Sequence, residues 1–576
     1  MSIESPSINV PAPSNRSRLL QGSDLLGAPE YPFKRPFKLQ CLPTLALLLL
    51  VLASSLSSIA NGFAYDDVLI VQDNTQIHTL SQVAFDFVQG YWPQQHGGAL
   101  YRPLTLVFFA VQWAAGKGAP WVFHAANVAL YAGLTLALYA LGRRLLPRGA
   151  AWLAAAIFAV HPVHVEAVGN VVGQAELTAA LFVVLGLTLY LDVRTRPALR
   201  TRDSVGLLAL LAAAGLCKEN GIILPALLLA AEVTVVADQR SLRSRIADLL
   251  PTYLLLIIGA VLLMAARRAA LGATVGEYPA LVLGGLGPRE RMLTVLGIVP
   301  EWIRLFFWPA HLRADYAPQE FNAATQFAAP QLLGVLLLLL AGLSAAAARH
   351  RHPAVAFGIA WTAIALLPVS NLLVPTGVLI AERTLLLPSI GVVIAVAALA
   401  APVWSRLRVA SRPLAWGALA GVTAVLAAGA ARSADRQTAW RDTPTVLTQL
   451  VQDAPLDYRA WLMYGGHLRQ AGRVREAKQA MLRSASLYRH DGRVYEDLGQ
   501  LVRFESGCAG AIPIFRQGLT LDPGLKNARG RLYVCLLEQG DTTAAMAIAA
   551  EGARRGQWFF QLVMLTGPKR PSAPHP

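Results

Sequence analysis

CLPTLALLLLVLASSLSSIAN, residues 41–61, carries no charged residue and is followed, after Gly62, by Phe63-Ala64-Tyr65-Asp66-Asp67. The run is long enough to cross a bilayer as a helix. It therefore delivers two adjacent carboxylates to the mouth of a membrane helix, at the water boundary. Carboxylates are costly inside lipid, so acids held at such a place are candidates for function. The plainer reading is that Asp66 and Asp67 end the helix and face water, and the rest of the chain has to weigh one against the other.

The bulk numbers favour a membrane protein. The 576 residues are 55% hydrophobic and 15% charged, with a mean hydropathy of +0.47. That is too apolar for an ordinary soluble protein. The formal charge of +16 does not point to a nucleic-acid partner, because the Arg residues cluster in short loops between apolar runs. This is the pattern of loops retained on the cytoplasmic side. The 4 Cys give neither a metal-site spacing nor a disulfide framework, although Cys508 and Cys535 are able to pair if their segment lies outside the cytoplasm.

Residues 1–38 are polar, rich in Pro and Ser, and carry Arg16, Arg18, Lys34 and Arg35. They read as a disordered cytoplasmic tail ahead of an anchor rather than a removed signal peptide. A membrane domain is expected over 39–435. After the first span at 41–61, further spans fall at about 121–141, 150–161, 176–192, 204–217, 222–237, 247–266, 331–348, 354–371, 384–402 and 414–431. Eleven spans put the N-terminus inside, and every loop then predicted to be inside is basic: Arg143, Arg144 and Arg148; Arg194, Arg196, Arg200 and Arg202; Arg240, Arg243 and Arg245; Arg349 and Arg351; Arg406, Arg408 and Arg412. Residues 79–92 have Leu80, Val83, Phe87, Val88 and Tyr91 at helical spacing and read as a helix lying in the interface. Residues 101–115 read as interfacial or re-entrant. Residues 290–312, with Trp302, Phe306, Phe307 and Trp308 beside Arg304, read as an interfacial segment on the outer side.

This parity gathers an informative set on the outer face: Asp66, Asp67, Arg102, His161, His164, Glu166, Glu176, Lys218, Glu219, Asp315, Tyr316, Glu382 and Arg383. A transporter is expected to place ionisable groups near the midplane of broken helices. An enzyme working at the outer surface is expected to place them at span ends, as here. From 436 to 567 the composition turns soluble and repeats at a period of 34. Trp461, Gly465, Gly472 and Ala477 mark one unit, Tyr495, Leu498, Gly499, Ala511, Phe515 and Pro523 the next, and Leu532, Gly540 and Ala545 a third. Small residues where paired helices touch, at this period, are tetratricopeptide-repeat positions. Residues 440–456 read as the last helix of a degenerate earlier unit, and 568–576 as a Pro-rich disordered tail.

The chain resembles the transmembrane and tetratricopeptide-repeat O-mannosyltransferase family, among the multi-pass glycosyltransferases that use lipid-linked donors (the C-type fold). The matching stretches are Phe63-Ala64-Tyr65-Asp66-Asp67, Tyr101-Arg102-Pro103-Leu104-Thr105 and His161-Pro162-Val163-His164-Val165-Glu166-Ala167-Val168. Gly173-Gln174-Ala175-Glu176-Leu177, Lys218-Glu219-Asn220-Gly221, Ala314-Asp315-Tyr316 and Ile380-Ala381-Glu382-Arg383 also match, in the family's order and with the repeats following. The resemblance implies an all-α multi-pass glycosyltransferase fold followed by an α-solenoid. It implies a polyprenyl- or dolichyl-phosphate sugar donor, with mannose favoured, and inverting transfer to a hydroxyl outside the cytoplasm. One departure is Gln174, where the family usually has Arg; if that Arg meets the donor phosphate, another cation serves here. The short repeat array and the Ala/Leu/Arg-rich composition point to a bacterial relative in the inner membrane, with the repeats in the periplasm.

Inverting transfer needs a base on the acceptor hydroxyl, a stabilised phosphate leaving group and a held sugar. Asp66 and Asp67 are the base candidates, with Asp67 slightly favoured. Arg102, Lys218 and Arg383 are the cations expected at the phosphate; against this, Arg102 and Arg383 also suit interface anchors and Lys218 a local pair with Glu219. His161, His164 and Glu166 suit hydrogen bonding to sugar or phosphate, or a helix-end network, better than metal binding, since His-x-x-His-x-Glu is not a known helical zinc spacing. Glu176 also suits helix capping, and Glu382 is expected to pair with Arg383 at the rim. No organic cofactor is expected, and a divalent cation is left open. The repeats are expected to hold an acceptor protein or partner. The rival readings are transfer to a lipid or cell-envelope glycan, and a non-catalytic membrane scaffold that displays the repeats.

Overall fold

The computed structural model describes residues 37–93, 100–196, 199–272, 285–317 and 324–567. The tails expected at the two ends lie outside these residues, apart from the first turn of α1 (Phe37–Ser55). Two compact units are distinguished, Met1–Ala46 and Leu47–Pro576. The candidate site lies within the second.

Among the described residues the chain is helical throughout and has no strand. Each of the eleven expected spans is helical. Seven are long and apolar enough to cross a membrane: Cys41–Ala60, Pro120–Leu145, Val171–Val193, Leu242–Leu271, Ala329–Ala348, Glu382–Ala410 and Arg412–Trp440. An eighth is a bent pair, Arg148–Ala159 and Pro162–Gly169, meeting at 51°. The remaining three are shorter: α7 (Thr201–Cys217), α8 (Leu224–Thr234) and α12 (Pro353–Leu366) with the turn that follows it. The amphipathic α10 (Pro288–Phe307) occupies the segment expected at the interface on the outer side, and α2 (Pro103–Gly116) the one expected to be interfacial or re-entrant.

Burial sorts the spans into centre and rim. In α6 (Gln174–Val193) and α13 (Leu386–Ala410), 61% of the apolar window is buried, against 11% in α11 (Ala329–Ala348) and α14 (Arg412–Gln437). The rim helices keep the leucines that would face lipid. At the centre, small residues let backbones approach, as membrane helices require. Gly358 of α12 and Gly391 of α13 lie so close that a Cβ on either would strike the other's carbonyl oxygen. Trp361 locks the same pair by donating its indole N–H to the Leu387 carbonyl at 2.8 Å.

One expected element is absent in that form. Residues 79–92 do not make a continuous interfacial helix; they are short 3-10 turns, Leu80–Gln82 and Phe85–Phe87, separated by bends. The apolar residues do not form one stripe: Tyr91 is buried, whereas Leu80, Phe87 and Val88 are exposed.

Beyond α14 the helices come in antiparallel pairs. α15 (Thr443–Asp453) leads to α16 (Tyr458–Gln470) and α17 (Val474–Leu487). α18 (Gly492–Leu521) is two helices joined across a break at Gly507, whose φ is +75°. α19 (Lys526–Glu538) and α20 (Thr542–Arg554) follow, then α21 (Trp558–Thr566). The helices that open the pairs begin at 458, 492 and 526, which preserves the 34-residue period seen in the sequence. Ala477, Ala511 and Ala545, one period apart, are all fully buried where the paired helices meet. Cys508 and Cys535 form a disulfide that ties the second half of α18 to α19.

A candidate active site at the mouth of the helix bundle

After the first span the chain is pinned by the carboxy-terminal helices. Asn61 donates from its side chain to the Gln437 carbonyl at 2.9 Å, and the Gly62 N–H donates to the Arg441 carbonyl at 2.8 Å. The Tyr65 N–H donates to the Thr443 hydroxyl at 2.9 Å, and the Tyr65 hydroxyl reaches the Met463 sulfur at 3.2 Å. Tyr65 has φ +56°, the left-handed region that ordinarily favours glycine. These tethers hold that turn, and the turn sends the next two side chains in different directions.

Asp67 points inward. It is fully buried and accepts three backbone N–H groups, from Ala64 at 3.3 Å, Val171 at 3.1 Å and Val172 at 2.9 Å. Burial pushes its carboxyl up to about 7 in spite of those donors. Asp66 faces the opening, with its side chain 19% exposed, and meets the Arg383 guanidinium at 3.4 Å. Burial raises its carboxyl as well, and Arg383 works against that rise.

Arg383 bridges Asp66 to the second acid of the site, reaching Glu166 at 3.1 Å while its own backbone N–H donates to Glu166 at 2.8 Å. The expected pairing of Glu382 with Arg383 is replaced by these contacts. On the 3-10 turn Glu382–Leu385 neighbouring side chains diverge by a third of a turn. Glu382 instead accepts the Arg313 N–H at 2.5 Å and the Tyr316 hydroxyl at 2.7 Å. The expected pairing of Lys218 with Glu219 is exchanged in the same way. Lys218, at the end of α7, bonds to Glu176 in the first turn of α6. Glu219 is shared between Arg102, the N-cap of α2, at 3.0 Å and Arg267 at 2.9 Å. Although burial opposes it, these two guanidinium groups hold the Glu219 carboxyl down to about 2. Burial, and then the charges of Arg102 and Arg383, drive the Lys218 ammonium well below its usual range.

The two histidines lie behind this cluster and are occupied by the protein itself. His164 is buried, with one ring nitrogen 2.8 Å from the Ser389 hydroxyl and the other 2.9 Å from the Tyr131 hydroxyl. His161 places Nε2 2.9 Å from the Phe306 carbonyl and accepts the Val163 N–H on Nδ1 at 3.3 Å. They form a helix-end network that joins α4 (Arg148–Ala159), α10 and α13. Among the described residues, the grouping of three potential metal-ligand atoms that lie together is Cys508, Cys535 and Glu538, where the two sulfurs are already bonded to each other. Gln174 is buried and accepts a hydrogen bond from Gln112 at 2.8 Å.

Two residues of this site went unread in the sequence. Arg267 sits at the end of an apolar span, where it looks like an anchor; its charge is used by Glu219, 48 positions away. Tyr91 is buried, with the Arg102 guanidinium 5.1 Å over its ring, and in the sequence it looks like one more apolar position of an interfacial helix. Asp315 was noted only as part of an outer loop; its carboxylate lies 3.2 Å from Arg459 of α16, so the carboxy-terminal helices wall one side of the opening.

No protein-family model matches the chain. Among curated proteins it is 24% identical to "Protein O-mannosyl-transferase TMTC3" of Mus musculus over 77% of this chain and 52% of that protein. The human TMTC3 is 23% identical over 82% of this chain and 54% of its own length. "Protein O-mannosyl-transferase Tmtc2" of Drosophila melanogaster is 36% identical over a shorter stretch, 29% of this chain and 19% of that protein. The chain thus spans about half the length of the first two relatives. Among solved structures, an Archaeoglobus fulgidus oligosaccharyltransferase tethered to an acceptor peptide superposes with a TM-score of 0.41 and 14% identity, over 77% of this chain and 59% of that one. That likeness is too loose to bear on fold or chemistry. The chain is a multi-pass helical protein whose curated homologues, at 23–26% identity over most of its length, are protein O-mannosyl-transferases of the TMTC group.

Proposed function

We propose that this protein is an integral-membrane, inverting glycosyltransferase. It moves a sugar, with mannose favoured, from a polyprenyl-phosphate donor to a hydroxyl of an extracytoplasmic acceptor, Ser or Thr of a protein. The observation that carries this reading is the division of labour in the Asp pair: Asp67 is consumed by backbone N–H groups, whereas Asp66 is held by Arg383 at the opening of a cleft with three cations. The names of the relatives support the same chemistry.

In this mechanism Asp66 accepts the proton of the acceptor hydroxyl, and the freed oxygen attacks the sugar's anomeric carbon from the face opposite the phosphate. The bond from that carbon to the phosphate oxygen breaks, and its electron pair leaves with the lipid phosphate. Arg102 and Lys218 meet the charge that develops there. Arg383 orients Asp66, and Glu166 fixes Arg383. Asp67 holds the loop. The paired helices after residue 436 are tetratricopeptide-like units that present the acceptor protein on the same side as Asp66. That side is the periplasmic face of an inner membrane.

The test is mannose transfer from polyprenyl-phosphate mannose in membranes holding equal amounts of intact protein, Asp66→Asn and Asp67→Asn. Loss in Asp66→Asn with normal protein abundance supports the assignment. Full activity in Asp66→Asn removes it, whatever Asp67→Asn does.

A further inference from the structure

We propose that Tyr91 reads a hydroxyl of the donor sugar, which makes it a specificity-determining residue of the site proposed above and dependent on that reading. Tyr91 is 1% exposed, yet among the described residues its hydroxyl has no hydrogen-bond partner. Buried hydroxyls are almost always satisfied, so an orphan calls for a cause. Looseness is not the cause, because the residue is pinned on three sides. Its backbone N–H donates to the Leu100 carbonyl at 2.7 Å, its ring packs with Leu106 and Phe109 of α2, and Arg102 covers one face of the ring.

The hydroxyl stands within electrostatic reach of Arg102, assigned to the leaving phosphate, of the base Asp66, and of Asp67 and Arg383, which hold the loop and orient the base. Burial raises its ionisation far above neutrality, so it stays a neutral donor and acceptor. A phosphate oxygen would be met by the cations already present. A neutral donor and acceptor beside Arg102, in the same cluster of charges as Asp66, suits a neutral polar atom of the ligand, and those of a phosphate-linked sugar are its hydroxyls. A site built to bond such a hydroxyl discriminates strongly against a ligand that lacks it, because its own polar group is then left unpaired.

The experiment compares full-length protein and Tyr91→Phe in lipid nanodiscs. The probes are short-chain polyprenyl-phosphate mannose and the same polyprenyl phosphate without sugar, with binding read directly. The substitution keeps the ring, and the sugarless probe reports whether the cleft is still folded. The expected result is unchanged binding of the sugarless lipid and about tenfold weaker binding of the mannosyl lipid in Tyr91→Phe. Equal weakening of both probes, or no change in either, overturns the assignment of Tyr91 alone. If the intact protein binds the sugarless lipid as well as the mannosyl one, the sugar subsite is overturned. If it binds neither, the donor assignment fails and the inference falls with it.

Discussion

Charge gathers near both ends of α6 and α9 (Leu242–Leu271), with α8 supplying an acid at one end and the turn before it an acid at the other, and the two ends are built on opposite plans. At one end Glu232 is fully buried. One of its oxygens takes the Arg194 Nε at 2.6 Å and the Tyr190 hydroxyl, and the other takes the Arg245 Nε at 2.9 Å. Asp238 adds a second acid to Arg194 at 3.0 Å. At the other end of the same helices lie Glu176, Lys218, Glu219 and Arg267. Arg245 and Arg267 sit about 33 Å apart along α9, given 1.5 Å per residue. The Glu232 end is closed, with the carboxylate enclosed by its own donors. The Asp66 end is left open, with a long 3.4 Å contact to Arg383 and an unmet hydroxyl on Tyr91. Buried charge alone therefore does not mark a site in this molecule; what separates the two ends is exposure, since Asp66 keeps its side chain 19% exposed and Glu232 is fully enclosed.

The contrast can be broken by mutation. The largest effect expected is from Asp66→Asn, which should cut the transfer rate by about a thousandfold, within the range of a lost general base, while leaving thermal stability nearly unchanged. Glu232→Ala should do the reverse. Leaving Arg194 and Arg245 buried without their partner should cost about 3–5 kcal/mol of stability, read by thermal unfolding in detergent. Smaller again is Asp67→Asn, in which an amide NH2 confronts backbone N–H donors. We expect a loss of about 1–3 kcal/mol, with activity falling in proportion to the folded fraction. The most delicate test is the pH profile of kcat/KM. Asp66 acts as a base only when ionised, and burial places its carboxyl above the ordinary carboxylate value, so the rate should fall with decreasing pH on a limb displaced upward. Arg383 opposes that displacement, so Arg383→Met should move the limb to still higher pH by about one unit, and an unmoved limb would mean that Asp66 does not control it.

Much of this was legible in the sequence, and the reason is length scale. A membrane span is written in one contiguous run, so each of the eleven segments was found as a helix, with the Asp pair at the mouth of the first. Arg102, Lys218 and Arg383 stood out together because all three lie at the ends of expected spans. Pairing was another matter. Lys218 prefers Glu176 to its neighbour Glu219, and Arg383 prefers Asp66 and Glu166 to Glu382, because adjacent residues on tight turns diverge while helices far apart in sequence converge. The slight preference for Asp67 as base had no way to weigh the turn at Tyr65, which hides one carboxylate and presents the other. Tyr91 was invisible for a related reason: an apolar period describes a face, and the segment around Tyr91 has none. The Cys508–Cys535 bond joins helices of adjacent pairs, a neighbourhood that sequence spacing did not demand.

The bonds from Gly62 and Tyr65 to Arg441 and Thr443 have a consequence for how such a protein can be cut and joined. α15 and α16 are bonded to the loop that carries the Asp pair, so they are not a detachable arm of the helices before them. A chimera spliced just after α14 would discard Thr443, Arg459 and Met463 and leave the left-handed turn at Tyr65 without its clamps. A splice beyond α17 would keep them. Modularity in this chain begins one helix pair later than the change in composition suggests.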